Sequence, residues 1–302
     1  VTVCRLLDLD PLPFFLAEIM ASNIGGTATL IGDPPNIMIG SAAGLSFADF
    51  IAVDAPAAIL CLAVMVVLFY FLFGRKFKVD EEHKRALMER DEREEIKNPT
   101  LLRQSVVMII FVTAGFMLHG SLGIESCVVA LTAAGILMLI SGERIEEALA
   151  HVEWTTLVFF AGLFIVVGAL SEVGVIGMLA QALIDVTGGS TFVAMLVLLF
   201  ASAIVSSFLD NIPFVATMIP ILLSMEATGM DVAPLWWAVS LGACLGGNGT
   251  LIGASANVVM SDISRKNGHV ITFAHFFKVG FPTMLATVAV SAIYLIVRFP
   301  PM

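Results

Sequence analysis

Charged residues are scarce in this chain of 302 residues. Only 13% of them are Asp, Glu, Lys or Arg, whereas soluble proteins have about 25%. The 15 Lys and Arg are outnumbered by 25 acids, so there is no basic face of the kind that binds nucleic acid. The four cysteines form no CxxC pair, which excludes a disulfide framework or a clustered zinc site. An ordinary soluble enzyme, a disordered chain and a nucleic-acid binder are all excluded.

Apolar residues take the place of the missing charge. They make up 59% of the chain, with a mean hydropathy of +0.99. A membrane-spanning helix needs about 20 mostly apolar residues, and six stretches approach or meet this requirement: 51–73, 104–119, 123–140, 155–171, 191–209 and 279–298. The sequence therefore predicts an all-α polytopic membrane protein, surrounded by lipid.

The charged stretch 74–103 is predicted to be a linker outside the membrane. It holds nine of the fifteen Lys and Arg, and such loops stay in the cytoplasm. If successive spans cross the membrane in alternating directions from this loop, and if 191–226 is a re-entrant hairpin, every basic residue except Arg298 falls on the cytoplasmic side. We therefore predict a multi-pass protein of the inner or plasma membrane with this loop on the cytoplasmic side.

An internal repeat divides the chain. Residues 25–37, GGTATLIGDPPNI, align with residues 246–258, GGNGTLIGASANV, at an offset of 221, and FADF at 47–50 returns as FAHF at 273–276. In the predicted topology the two copies cross the membrane in opposite directions, so the repeat is inverted. The hairpin counterpart in the first half would precede Val1, which predicts that an N-terminal part is missing.

The repeat sets the predicted domain boundaries. Residues 1–73 form the end of the first inverted repeat, with a broken helix at 12–40 and the span 51–73. Residues 74–103 are the linker, and residues 104–302 form the second repeat, with the hairpin 191–226 and a broken helix at 235–262.

The two broken helices predict a binding site. Backbone that is not helical must line a cavity at membrane depth, and paired broken helices in inverted halves are typical of the midplane site of a secondary transporter. The candidate substrate- or ion-binding residues are small or neutral and polar, except for one acid. They are Asn23, Gly25, Gly26, Thr27, Thr29, Asp33, Asn36, Gly246, Gly247, Asn248, Thr250 and Asn257.

The tip of the hairpin supplies three more candidates, Ser207, Asp210 and Asn211. Asn211 is predicted to cap a helix that starts near 212, with Pro213 in its first turn. A carboxylate within the membrane is by default functional, so Asp210 is expected to bind Na⁺ or to exchange a proton. Asp210, Asn211 and Asn257 form the candidate Na⁺ site. Capping alone remains the alternative for Asp210, and a structural turn remains the alternative for Asp33.

Three segments carry a resemblance to a known family: ASNIGGTATLIGDPPNIMIGSAAGLSFADF, SSFLDNIPFVATMIP and LGGNGTLIGASANVV. They resemble the arsenite-permease (ArsB-like) branch of the ion transporter superfamily, which is related to P protein, citrate and dicarboxylate carriers and NhaD-type antiporters. The resemblance implies two inverted repeats whose hairpins and broken helices meet at the midplane. It also implies a homodimer and alternating access of the elevator type.

The expected function is secondary active transport of arsenite, antimonite or another inorganic anion, coupled to H⁺ or Na⁺. No ATP-binding loop motif is present, so coupling is expected from an ion gradient or from a partner such as a cytoplasmic ATPase subunit, with no cofactor. A sodium/proton antiporter is the first alternative and a passive anion channel the second. An intramembrane aspartyl protease using Asp33 and Asp210 is disfavoured, because Leu30 stands where a GxGD motif needs its first glycine and no Tyr-Asp motif is present.

Overall fold

A computed structural model of the chain describes residues 2–77, 79–88, 96, 98–142, 144–150, 152 and 154–301. Within these ranges the regular structure is helical, without strands, which confirms the all-α prediction. Residues 89–95 of the predicted linker lie outside the described part. Described helices that are long and apolar enough to cross a membrane are found at Phe47–Lys76, Pro99–Leu118, Trp154–Glu172, Thr191–Phe208 and Phe273–Arg298. The protein is a polytopic membrane protein.

The helices have the following bounds: α1 Thr2–Leu6, α2 Leu12–Thr27, α3 Pro34–Ala43, α4 Phe47–Leu72, α5 Glu81–Met88, α6 Pro99–Leu122, α7 Ser126–Ser141, α8 Ile145–Ala150, α9 Trp154–Glu172, α10 Val175–Thr187, α11 Thr191–Phe208, α12 Asn211–Ala227, α13 Ala233–Gly246, α14 Ser255–Lys266 and α15 Phe273–Arg298. Each of the six predicted spans coincides with a helix. The predicted span 123–140 is α7, whose 16 residues reach only about 24 Å.

Both predicted broken helices are broken in the structure. The first is α2 followed by α3, which begins at Pro34, where a helix needs no amide hydrogen. The second is α13 followed by α14. Residues 28–33 and 247–254, called here the first break and the second break, connect the two halves of each helix. Their last residues, Asp33 and Ala254, are both extended, with φ of −142° and −152°.

The predicted hairpin consists of α11 and α12. One detail of the prediction is wrong, because the N-cap of α12 is Asp210 and the helix begins at Asn211. The Asp210 carboxylate accepts a hydrogen bond of 3.0 Å from the amide of Ile212, which satisfies one of the free amides of the first turn. Pro213 lies in that turn as expected.

The long helices α4 and α15 are equivalent in the two halves at an offset of 226. Each has 26 residues and a hydroxyl N-cap, and each has a proline at its tenth position. The Tyr294 hydroxyl donates to the Val53 carbonyl, and Cys61 Sγ donates to the Thr287 carbonyl. Residue numbers therefore run in opposite directions along the pair, so the helices are antiparallel. Cys61 and Thr287 occupy the same position in the two repeats, which places the two-fold axis of the pair at this contact.

The core lies around α13, in which every residue from Leu235 to Gly246 is buried. Gly242 and Gly246 form a GxxxG motif on the face that meets α11. A side chain at either position would lie 2.6 Å from a carbonyl oxygen of α11, that of Leu199 or Ala203. Small residues at this spacing allow close helix packing in membranes, so Gly246 has a packing role.

The helix α10 was not expected from the sequence. It packs against α9, α11 and α12, and Ile176 and Ala180 on one face are buried. Its 13 residues are fewer than the roughly 20 that a span requires, so a search for spans passes over it.

Candidate ion-binding site

One asparagine holds each break in place. The Asn257 side-chain amide donates to the carbonyls of Gly247 at 2.7 Å and Thr250 at 2.8 Å. The Asn36 amide donates to the carbonyls of Gly26, Thr27 and Thr29 at 3.1–3.4 Å. Gly26 and Thr29 are the repeat equivalents of Gly247 and Thr250. The Thr29 and Thr250 carbonyls also accept from the amides of Gly32 and Gly253. Buried carbonyls without a partner are costly, so the asparagines satisfy the Gly26, Thr27 and Gly247 carbonyls and add a second donor to those of Thr29 and Thr250.

The two repeats exchange equivalent contacts across the breaks. Asn23 in α2 donates to Asn257 Oδ1 at 2.8 Å, and Cys244 in α13 donates to Asn36 Oδ1 at 3.4 Å. Asn23 and Cys244 are themselves equivalent at the offset of 221. A residue before one break thus meets a residue after the other, which requires the broken helices to cross in an antiparallel arrangement. These contacts agree with inverted repeats, while the exact repeat boundaries stay a prediction.

Glycines allow the ends of each break to meet. A side chain at Gly26 would lie 2.7 Å from the Gly32 carbonyl oxygen, and one at Gly253 would lie 2.9 Å from the Gly247 carbonyl oxygen. Gly253 is also closely covered by the hairpin, since a side chain there would lie 3.0 Å from the carbonyl oxygen of Ser207. The similar geometry of the two breaks therefore depends on glycine at positions such as 26 and 253.

The hairpin tip is fastened to the second break. The Ser207 hydroxyl approaches the carbonyls of Ala203 at 2.7 Å and Gly246 at 3.0 Å, and the Ser206 hydroxyl donates to the Ala243 carbonyl at 2.7 Å. Thr250 returns a bond to the Ser207 carbonyl. These bonds fix the tip of the hairpin relative to the loop.

The hairpin tip and the first break meet at Asp33. The Asn211 side-chain amide lies 3.2 Å from Asp33 Oδ1 and 3.0 Å from Oδ2. Beside this contact is a cavity of about 110 Å³. Its wall consists of Ser22, Asn23, Gly26, Gly32, Asp33, Pro34, Asn211, Ala254, Ser255 and Ala256.

Three helix N-termini converge on this cavity. The first residues of α3, α12 and α14, namely Pro34, Asn211 and Ser255, all line it. No side chain caps the start of α14. A helix N-terminus carries about half a positive charge, which favours a bound anion. The uncapped start of α14 also offers free amide donors, whereas α3 begins with two prolines and the Ile212 amide of α12 is bonded to Asp210. Asp33 adds one carboxylate to the same wall, so the cavity combines attraction for an anion with one acid.

Comparison with known proteins places the chain in a family. A family model described as citrate transporter (CitMHS) matches residues 1–242. The chain belongs to this citrate transporter family. A 46 kDa membrane protein of Mycobacterium leprae is 43% identical over 300 residues, which cover 98% of this chain and 70% of that protein. An uncharacterized transporter of Mycobacterium tuberculosis is 43% identical over 301 residues, with the same coverage.

A more distant relative is P protein of Mus musculus, which is 32% identical over 377 residues, covering 98% of this chain and 45% of P protein. Together these matches confirm the resemblance to the ion transporter superfamily, and they show a transporter family rather than an enzyme family. The match names citrate transporters and not the arsenite-permease branch, so the narrower resemblance is not established.

Among the predicted site residues, the structure brings Asn23, Gly26, Asp33 and Asn211 to the cavity of this citrate-transporter-family protein. The others stand around it. Asn36 and Asn257 bind the backbone carbonyls of the breaks. Thr27 donates to the Asn23 carbonyl within α2. The remaining residues lie in or beside the breaks and the hairpin tip without lining the cavity: Gly25, Thr29, Ser207, Asp210, Gly246, Gly247, Asn248 and Thr250.

The predicted Na⁺ site stays a prediction. Its three residues have separate described contacts: Asp210 caps α12, Asn211 contacts Asp33, and the Asn257 side chain bonds to the second break and to Asn23. No cluster of three or more His, Cys, Asp or Glu able to hold a metal ion occurs among the described residues. This finding does not concern a Na⁺ site made of amide oxygens.

Two polar residues beside the site were missed from the sequence. Asp54 in α4 and Ser240 in α13 are both fully buried, and their side chains are 2.5 Å apart. Asp54 lies in the predicted span 51–73, and a carboxyl group inside an apolar span is itself a signal of function. Ser240 carries no such signal, because serine is common in membrane helices.

Proposed function

We propose that this protein is a secondary active transporter that moves a small anion through the cavity at Asp33 together with H⁺. The observation that carries the proposal is the meeting of three helix N-termini with one carboxylic acid at a single cavity between the broken helices. Membership of the citrate transporter family supports transport as the activity. Substrate, coupling ion and direction of coupling are parts of the proposal.

The size of the cavity favours a compact substrate. Its volume of about 110 Å³ is below the 300–1,000 Å³ typical of pockets for drug-sized ligands. An inorganic oxyanion fits this size better than a large organic ion. Arsenite and antimonite also fit, but as neutral hydroxides at pH 7 they would bind through hydrogen bonds and not through charge. We therefore keep the arsenite-permease-like substrate as the first choice and test citrate beside it.

Asp33 supplies a physical reason for coupling to protons. An anion at about 4 Å from an ionised Asp33 would be repelled by about 4 kcal/mol at an effective dielectric constant near 20, which lowers its affinity roughly a thousandfold. Protonation of Asp33 removes this repulsion and leaves the helix N-termini to attract the anion. Binding of the proton and binding of the anion then favour each other.

A sodium/proton antiporter is the second candidate. The Asp33 carboxylate, together with nearby amide oxygens, is also a set of oxygen ligands suited to a small cation. In that case Na⁺ and H⁺ compete for Asp33, and transport of Na⁺ follows an imposed pH gradient. A passive anion channel differs from both, because flux through it does not respond to a pH gradient once the membrane potential is clamped.

Transport in vesicles tests the proposal. The full-length protein in everted membrane vesicles or proteoliposomes is offered arsenite, phosphate, citrate or Na⁺, with and without a pH gradient and with the membrane potential clamped. We expect gradient-driven uptake of a compact anion that is lost in Asp33→Asn. The control is Asp185→Asn, because Asp185 is exposed on α10 and contacts Gln181. Full transport by Asp33→Asn, or equal flux with and without the gradient, would refute the proposal.

The predicted assembly and orientation belong to the same proposal. We propose a homodimer, which light scattering of the purified protein in detergent measures directly, and a cytoplasmic position for the loop 74–103. An ATPase subunit as partner predicts that transport depends on ATP. ATP-independent transport in proteoliposomes that contain this protein alone would exclude such a requirement.

A further inference from the structure

A buried carboxyl group stands behind the first break, away from the cavity. Asp54 lies in α4 and is fully buried. Its Oδ2 lies 2.5 Å from the Ser240 hydroxyl oxygen, while Oδ1 has no hydrogen-bond partner among the described residues. No ion pair joins Asp54 to a described Lys, Arg or His. An ionised carboxylate held by one hydrogen bond in such surroundings is very costly.

The hydrogen bonds around Ser240 favour a protonated Asp54. Asn36 donates its amide to the carbonyls of the break, so its Oδ1 must point at Ser240, 2.8 Å away. Ser240 has one hydroxyl hydrogen for two neighbouring oxygens, those of Asn36 and Asp54. If Asp54 is protonated, it donates to Ser240 and Ser240 donates to Asn36, and both short contacts are satisfied. If Asp54 is ionised, only one of them is.

The other ionisable groups of the helices around Asp54 are neutral or distant, and Asp33 of the first break shares with Asp54 the neighbour Cys244. The helices packed against α4 include α2, α6, α13 and α15. Cys61 of α4, Cys244 of α13 and Tyr294 of α15 approach this region as neutral groups. The charged or titratable residues of these helices stand elsewhere: Asp49 caps the start of α4, Glu18 of α2 is exposed, Arg103 lies near the start of α6, and His275, Lys278 and Arg298 are exposed on α15.

We propose that Asp54 is a proton-binding carboxyl group and that Ser240 and Asn36 transmit its protonation to the first break. Loss of the proton turns the Ser240 hydroxyl from Asn36 to Asp54. Asn36 then keeps only the thiol of Cys244 as a donor to its Oδ1. Its side chain is held less firmly, so its hydrogen bonds to the carbonyls of the break weaken. This role in transport rests on the proposed function, whereas the protonation of Asp54 and its link to the break do not.

Infrared spectroscopy of the full-length protein in lipid at neutral pH tests the protonation. The carbonyl-stretch band of a buried carboxylic acid is expected in the wild-type spectrum and is expected to be absent in Asp54→Asn. The exposed control Asp185→Asn leaves the band unchanged. Ser240→Ala is expected to shift the band to higher frequency, because the acid loses its acceptor, and Ser240→Thr restores it. An Asp54→Asn spectrum identical to the wild type would overturn the assignment.

Hydrogen exchange of the two breaks, measured at one pH by mass spectrometry, tests the transmission. Asn at position 54 donates to Ser240 as a protonated acid does, so Asp54→Asn should keep the wild-type exchange rate across 28–33. Ser240→Ala should raise that rate severalfold and leave 247–254 unchanged as the internal reference. Equal effects on both breaks, or none, would refute the transmission. Failure of the Asp33 transport test with these results intact would refute the proposed function alone.

Discussion

Replacing Asn257 by Ala removes the side chain that holds the second break. The wild-type amide donates to the carbonyls of Gly247 and Thr250 at 2.7 and 2.8 Å, and its oxygen accepts from Asn23 at 2.8 Å. Three hydrogen bonds at about 1 kcal/mol each give a loss of about 3 kcal/mol, and the Gly247 carbonyl, left without a described partner, raises it by roughly 1–3 kcal/mol. The Thr250 carbonyl still accepts from the Gly253 amide. The free energy of unfolding should fall by at least about 3 kcal/mol.

The matched control is Asn267→Ala. Asn267 follows α14, and its amide donates one exposed hydrogen bond of 2.9 Å to the Ile263 carbonyl. Loss of one such bond costs about 1 kcal/mol or less. Unfolding of both variants in mixed micelles of dodecyl maltoside and increasing SDS can be followed by tryptophan fluorescence, since Trp236 and Trp237 are buried in α13. A difference between the two variants below about 1 kcal/mol would refute the role of Asn257 as a backbone anchor.

Two further predictions concern packing and helix direction. Gly253→Ala should destabilise the protein by about 1–3 kcal/mol, because its methyl group would meet the carbonyls of Ser207 and Gly247. The control Gly135→Ala should be neutral in the same unfolding assay, because no atom lies within 4 Å of the added methyl group. Ser291→Cys should form an oxidative cross-link with Cys61, whose sulfur lies 3.4 Å from the Ser291 hydroxyl; mass spectrometry that finds no such link would contradict the antiparallel packing of α4 and α15.

The sequence was sufficient to predict the broken helices. Proline and glycine disfavour a continuous helix for physical reasons that are local, and their repetition at a fixed offset identified both breaks. The N-cap of α12 was assigned one residue too late, because aspartate and asparagine are equally good caps. Choosing between Asp210 and Asn211 requires knowing that the amide of Asn211 is engaged by Asp33, a contact between residues 178 positions apart.

The roles within the candidate site were harder to predict. Asn36 and Asn257 were selected as ligands because amide oxygens bind ions, yet their amides are used by the breaks themselves. Residue type shows what a side chain offers and not where it is directed. The recurrence of an asparagine seven residues after Thr29 and Thr250 was the available signal. Asp54 was missed because it lies within a predicted span and outside both breaks.

The two-fold relation between the repeats has an energetic consequence for the proposed transport cycle. If the halves were identical, a state open to one side of the membrane and its mirror state open to the other would have equal energy. Any resting preference must therefore arise at positions where the repeats differ. Asp33 and Ala254 are equivalent positions that differ in residue type, and so are Asn23 and Cys244. Exchanging either pair between the repeats should reverse the contribution of that pair to the preferred orientation while leaving the scaffold intact.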